Sequence, residues 1–230
     1  MAAPKTVRPS LIVLRPGTVS YADGLEMQED LVEARKRGEA DDHLLLLEHH
    51  SVYTLGRRGD LGHVRIDDAV RERLGIELFH TNRGGDVTWH GPGQLVGYPI
   101  VSLAPDRKDL VRYVRDLEEV LIRALRDFGI EAARVAGLTG VWVGDEKIAA
   151  IGVRVARWVT SHGFALNVCN GFEAYDHIVP CGIADRGVTS LSRLLGRDVT
   201  VDETADRVVT HFADVFEREI TTPEMLETTE

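Results

Sequence analysis

VWVGDEKIAAIGVRVARWVTSHGFALNV, residues 141–168, is the stretch that decides the fold class. It holds three strand candidates, 141–143, 147–155 and 164–168, with few breakers and no helix between them. Strands that follow one another directly pair antiparallel, whereas a regular parallel array needs a helix after each strand. Working outward, strand candidates at 11–15, 43–49, 52–55, 76–81 and 95–103 alternate with helices at 21–38, 67–74 and 109–128. The leucine run HLLLLEH at 43–49 reads as a buried strand. Leu110, Val114, Leu117, Leu121, Leu125 and Phe128 recur at three and four and make one apolar helix face. A last helix is expected from 201 to about 216. The pattern is α+β, with a mixed β-sheet flanked by helices. With no repeat or linker, residues 1–218 read as a single catalytic domain and 219–230 as a polar C-terminal tail.

The chain has 230 residues and a net charge of -10. That balance argues against a protein whose main work is gripping nucleic-acid phosphates. The apolar runs are too short to span a bilayer, and the N-terminus lacks a signal-peptide layout, so a cytoplasmic protein with no membrane partner is expected. Nine histidines show no ligand spacing, so no metal is expected. Lys5, Lys36, Lys108 and Lys147 are the only lysines among 27 basic residues. A lysine kept inside a structured segment therefore invites a reason that arginine cannot meet.

Four segments carry the candidate chemistry. RGGDVTWHGPGQ, residues 83–94, surrounds a strand-like centre with Gly84, Gly85, Gly91, Pro92 and Gly93. Glycines let the backbone approach a ligand closely, beside polar groups from Arg83, Thr88 and His90. A hairpin with two ordinary turns is the plainer reading. In IVPCGIAD, residues 178–185, Cys181 sits between Pro180 and Gly182, in a setting that suits a presented thiol. The residues alone leave open a buried structural cysteine. Lys147 opens an apolar strand, as a proton carrier or as a charge that blunts a sheet edge. In SHGFALNV, residues 161–168, His162-Gly163 precedes a strand.

In this order, LLLEHHSVYTLGRRG, RGGDVTWHGPGQLVGYPI, KIAAIGVRV, HGFALNV and IVPCGIADRGVTSL resemble the lipoyl(octanoyl) transferases, also called lipoate-protein ligase B. The resemblance spans residues 13–195, most of the chain. The chain departs from the family at His50, where the family reads proline, and at Cys169. The resemblance implies a biotin/lipoate ligase-like fold and a transfer of octanoyl groups, or lipoyl groups, from acyl carrier protein to a lysine of lipoyl domains. Those domains belong to the 2-oxoacid dehydrogenases and to the glycine cleavage H protein. It implies Cys181 as nucleophile, through an acyl-cysteine intermediate, with Lys147 as its partner. It also implies a substrate pocket from Arg83, Gly84, Gly85, Asp86, Val87, Thr88, Trp89 and His90. Ala150, Ile151 and Gly152, then Gly163, Phe164 and Ala165, would complete that pocket. No cofactor is implied, because the acyl group arrives activated on the phosphopantetheine of acyl carrier protein.

The residue types suit this chemistry. A free thiol is only a few per cent thiolate at neutral pH. A cation about 4 Å away favours the thiolate by roughly 4 kcal/mol at an effective dielectric of about 20, before desolvation is subtracted. Lysine can also give and take a proton, which arginine cannot. Three other readings remain: an ATP-dependent lipoate-protein ligase, a cysteine thioesterase, and a non-catalytic lipid- or carrier-binding module. Acyl carrier proteins are acidic, as is this chain, so Arg57 and Arg58, with Arg154 or Arg157, are expected to form a local basic landing.

Overall fold

The computed structural model describes residues 8–180 and 186–221. Its first half runs β1 (Ser10–Val19), α1 (Tyr21–Arg37), β2 (Asp42–His49), β3 (Val52–Leu55), α2 (Asp68–Arg73), β4 (Glu77–His80), β5 (Val87–His90) and β6 (Gln94–Ile100). The second half begins with α3 (Leu110–Arg126), β7 (Ala133–Val135), β8 (Leu138–Val143), β9 (Glu146–Ala156) and β10 (Val159–Asn167). It ends with β11 (Gly187–Val188), α4 (Leu191–Leu195), α5 (Val201–Phe216) and β12 (Glu219–Thr221).

The larger sheet has the order β12-β1-β2-β6-β10-β9-β8-β7, with β11 added beside β9. β1 pairs in parallel with β2 and β12, while β2, β6, β10, β9, β8 and β7 are antiparallel neighbours. A smaller sheet has the order β4-β3-β5. The α+β class with a mixed sheet is therefore as the sequence pattern indicates.

The leucine run of β2 is buried on both faces because the sheet is covered on both. Leu44 and Leu46 enter a core with Leu117, Leu121 and Leu125 of α3 and Val208 and Phe212 of α5. Leu45 and Leu47 face the other way, into a core capped by Met27 and Leu31 of α1. Ser20 caps α1 by accepting from the Asp23 N–H, and Gly38 ends it at a φ of 75°. A third core, with Tyr53, Val87 and Trp89, lies under the small sheet. The small sheet and α1 leave a gap above β10 and β9, and the candidate site occupies it.

Several boundaries differ from the sequence reading. β10 begins at Val159 rather than Phe164, because β9 and β10 form one hairpin. Its turn residues, Arg157 and Trp158, both take positive φ, at 53° and 64°. Hairpin turns of this kind usually carry Asn or Gly, and neither residue gives that signal. Residues 219–221, expected in the tail, form β12 beside β1. The cause sits next door. The buried carboxylate of Asp42 accepts from Arg218 Nε at 2.8 Å, from Arg35 Nε at 2.7 Å and from the Ser102 N–H at 2.9 Å, which fastens the chain after α5 to the sheet. Among the described residues, no helix is long and apolar enough to cross a membrane.

Candidate functional site

Lys147 is the second residue of β9 and is buried. Its ammonium lies 4.9 Å from the centre of the Trp142 ring, which the Arg186 guanidinium also faces at 5.3 Å. Gly140, at a φ of 126°, passes close enough that a Cβ there would meet Ala149 O at 2.6 Å and Lys147 Cε at 3.5 Å. The Gly140 N–H is held by the buried Glu118 carboxylate of α3. β11 pairs with the same strand, Val188 opposite Lys147. Cys181 lies outside the described residues. Pro180 and Arg186, which bracket its segment, both line a small cavity of about 10 Å³ together with Lys147.

From Lys147 a groove of about 520 Å³ opens between Arg58, Leu110, Val114 and Leu138. Through Gly85, Asp86, Ile151 and Gly152 it meets a narrower cavity of about 50 Å³. The narrow cavity gathers most of the expected pocket: Arg83, Gly85, Asp86, Thr88, His90, Ala150, Ile151, Gly152, Gly163, Phe164 and Ala165. Gly84 lines the groove instead. Val87 and Trp89 line neither, and this corrects the expectation. Side chains on a strand alternate, so Thr88 and His90 face the cavity while Val87 and Trp89 enter the core under the small sheet.

The glycine-rich loop is fastened rather than open. Arg83 donates to Thr54 O at 2.6 Å, to Thr54 Oγ1 at 2.8 Å and to Gly84 O at 3.0 Å. The Gly84 N–H reaches Val153 O across the face of β9. Asp86 spends its carboxylate on the loop itself, accepting from the Asp60 and Val87 N–H groups and meeting His63 Nδ1. Glu48 accepts from the Gly93 N–H at 2.6 Å and so anchors the far end of the block.

A buried hydrogen-bond chain joins this loop to Lys147. Arg83 donates to Thr54 Oγ1, and the Thr54 hydroxyl lies 3.5 Å from His90 Nε2. His90 Nδ1–H donates to Gln94 Oε1 at 2.8 Å, since the Gln94 amide nitrogen is already committed to Asn167 Oδ1 and Tyr175 OH. Asn167 donates to Thr189 O, and the Thr189 N–H donates to Lys147 O. The two ends of the site are thus held in one register.

Sequence reasoning missed Tyr21 and Tyr98, and left His162 out of the pocket; all three line the narrow cavity. His162 adopts a φ of 54°, a conformation uncommon for a non-glycine residue. Its N–H donates to Gln28 Oε1, and its Nε2 meets Asn82 Oδ1 at 2.9 Å. Burial pushes the pKa of His49 and His162 down to about 4 and that of His90 down to about 3. These rings are neutral when folded and gain protons on unfolding once pH falls below about 6.5. Stability is therefore complete above that pH and drains as pH falls toward 4. The thermal midpoint is expected to drop by at least about 4 °C between pH 7.5 and pH 5. A midpoint constant over that window would mean that the three rings are solvated.

Residues 20–213 match the model of the lipoyl protein ligase A/B catalytic domain. A relative from Solibacter usitatus named octanoyltransferase is 54% identical over 204 residues, covering 89% of this chain and 92% of that protein. The fold resembles a bi-partite lipoate protein ligase from Thermoplasma acidophilum at a TM-score of 0.69 and 20% identity, over 95% of this chain and 89% of that one. It also resembles biotin protein ligase from Aquifex aeolicus at a TM-score of 0.52 and 14% identity, over 92% and 70% of the two chains. At such identities the solved structures speak for the fold alone, which is of the biotin/lipoate ligase kind. By the span of the family match and the closeness of its relatives, this chain belongs to the family of lipoyl protein ligase A/B catalytic domains.

Proposed function

We propose that this protein is an octanoyltransferase of protein lipoylation, an acyltransferase that acts on lipoyl domains. It takes an octanoyl or lipoyl group from the phosphopantetheine thioester of acyl carrier protein and passes it to a lysine of the acceptor domain. The acceptors are the lipoyl domains of 2-oxoacid dehydrogenases and the glycine cleavage H protein. The observation that carries this reading is the position of Lys147. It is a buried lysine between the residues that bracket Cys181, at the edge of a groove that narrows into a cavity floored by Ala150, Gly152, Gly163 and Ala165.

In the proposed reaction the Cys181 thiolate attacks the thioester carbonyl. The carbon–sulfur bond to pantetheine breaks, and the departing thiolate takes a proton from Lys147. The acceptor lysine then attacks the acyl-Cys181 thioester as a neutral amine. Its nitrogen forms the amide, its proton passes to Lys147, and the Cys181 thiolate leaves. One thioester is exchanged for another at nearly equal energy, so activation comes with the donor and the reaction calls for neither a nucleotide nor a metal.

The test is intact-protein mass after mixing with octanoyl-acyl carrier protein without ATP, followed by addition of an apo lipoyl domain. One octanoyl mass is expected on the protein, then on the domain. Modification that requires ATP and free acid would make the protein a ligase, and rapid release of octanoate without an acceptor would make it a thioesterase.

Arg57 and Arg58 are exposed, and Arg58 lines the groove. Their N–H groups are pinned to Arg83 O and Gly85 O, which fixes both at the rim of the loop. Arg154 is exposed on β9, whereas Arg157 lies 3.8 Å from Glu33, on the α1 side. An acidic carrier approaching this rim is steered by charge. Replacing Arg57 and Arg58 by glutamate is expected to raise KM for the carrier about 10-fold at low salt. The difference should shrink in high salt, while kcat stays within a few-fold. A KM unchanged at low salt would remove the landing from these residues.

A further inference from the structure

The narrow cavity has a built end. Gly152 of β9 pairs with Gly163 of β10, and the register Phe164–Gly97 puts Tyr98 of β6 next in the same row. Residues paired directly across a sheet share a face, and all three line the cavity. Strands lie about 4.8 Å apart, so two steps along this row put roughly 10 Å between Gly152 and Tyr98. Neither glycine has room for a side chain, since a Cβ would run into Gly84 O at Gly152 and into Gly97 O at Gly163, so the row is a trough over bare backbone. An extended eight-carbon acyl chain has about this length. The Gly152 end shares Gly85, Asp86 and Ile151 with the groove beside Lys147. At the other end of the row stands Tyr98, which lines the cavity and is 3% exposed.

Tyr98 is fixed from behind. Its hydroxyl donates to His49 Nε2 at 2.7 Å, and His49 Nδ1–H donates to Val19 O at 3.2 Å. That assignment needs a neutral His49, as its burial dictates. The Tyr21 ring stands edge-on to His49 at 5.1 Å. A Cβ at Gly24 would meet His49 Cε1 at 2.7 Å, so α1 is packed onto the back of the imidazole. Swinging the Tyr98 ring aside would break its hydrogen bond to His49 inside the protein and press on α1.

We propose that Tyr98, held by His49, is the stop that sets the length of acyl chain this protein accepts. The proposal rests on the acyl-transfer reading above for the chain's direction of entrance from the Lys147 side. A chain two carbons longer would have to displace the ring, and one four carbons longer could not lie straight in the trough.

The experiment measures binding of octanoate, decanoate and dodecanoate by calorimetry, and in parallel the acyl adduct formed from the three corresponding S-acyl pantetheines by intact mass. The wild type is expected to favour eight carbons over twelve by at least 10-fold, and Tyr98→Phe, which keeps the ring but loses its hydrogen bond to His49, is expected to lose part of that preference. Tyr98→Ala is expected to shift that ratio at least 10-fold toward dodecanoate in both measurements. Tyr98→Leu serves as a second variant of the same kind, read in the same two assays, should alanine cost the fold. A folded Tyr98→Ala or Tyr98→Leu variant that keeps the wild-type preference would overturn the stop and leave the acyl reading intact. A wild type that binds none of the acids and takes up no acyl group would overturn both.

Discussion

Lys147→Arg is expected to fail as an acyl-transfer enzyme almost as fully as Lys147→Ala, despite keeping the positive charge. Loss of a positioned acid–base group costs about 10²- to 10⁴-fold, and both variants should fall in that range. The two differ in how they fail. On the proposed Cys181–Lys147 pairing, arginine would still favour the thiolate, so Cys181 in Lys147→Arg should alkylate with iodoacetamide at neutral pH at close to the wild-type rate. It cannot release a proton to the departing pantetheine or take one from the acceptor lysine. In Lys147→Ala the alkylation rate should fall together with transfer. Cys181→Ala should form no acyl adduct and transfer nothing. Cys169 is exposed, but desolvation, and then the carboxylates of Glu48 and Asp198, push its thiol up, so it should alkylate more slowly than an activated Cys181, and the site of modification is read by peptide mass. Transfer by Lys147→Arg within a few-fold of wild type would take the proton role away from Lys147.

That prediction rests on residues that could be read directly from the chain. Lys147 stood out as a lysine in an arginine-rich sequence at the start of an apolar strand, and the structure buries it there. Leu44 to Leu47 declared a two-faced buried strand, and the Leu117–Leu121–Leu125 repeat declared the face of α3. Such signals are local, because periodicity is written into neighbouring residues. What could not be read was convergence. Tyr21 begins a helix, Tyr98 sits within β6 and His162 within β10, and only the pairing of β10 with β6 under α1 brings them to one cavity. The same holds for β12, whose place follows from Arg218 reaching Asp42 across 176 residues. The error over Val87 and Trp89 was of another kind. The alternation in Val87, Thr88, Trp89 and His90 was available in the sequence, and a block resemblance carried all four residues into the pocket without regard to the side of the strand each faces.

Gly152→Val is expected to stop octanoyl transfer while leaving transfer of a two-carbon acyl group largely intact. Gly152 sits where the groove passes into the narrow cavity and lines both. A Cβ there would meet Gly84 O at 2.8 Å and Arg83 Cδ at 3.2 Å. Neither contact yields easily. Arg83 is held by three hydrogen bonds, and the Gly84 N–H is tied to Val153 O. Valine at Gly152 would therefore crowd Gly84 and Arg83 at the mouth of the narrow cavity, which both Gly152 and Arg83 line. Valine suits a strand, so β9 itself should persist, but the contact with Gly84 O must be relieved by a shift of the tied loop, so a lower thermal midpoint is expected and the comparison is made below it. A displacement of about 1 Å in a reacting group can cost about 100-fold, and a blocked channel should cost at least that for the eight-carbon donor. An acetyl group carried on the same acyl carrier protein needs none of the trough, because its carbonyl is reached before the chain would turn over Gly152. The ratio of octanoyl to acetyl transfer is thus the decisive quantity. Equal loss with both donors in a folded variant would place the defect in the loop and its arginine rather than in the channel. Unchanged octanoyl transfer would mean that the acyl chain takes another path from Lys147.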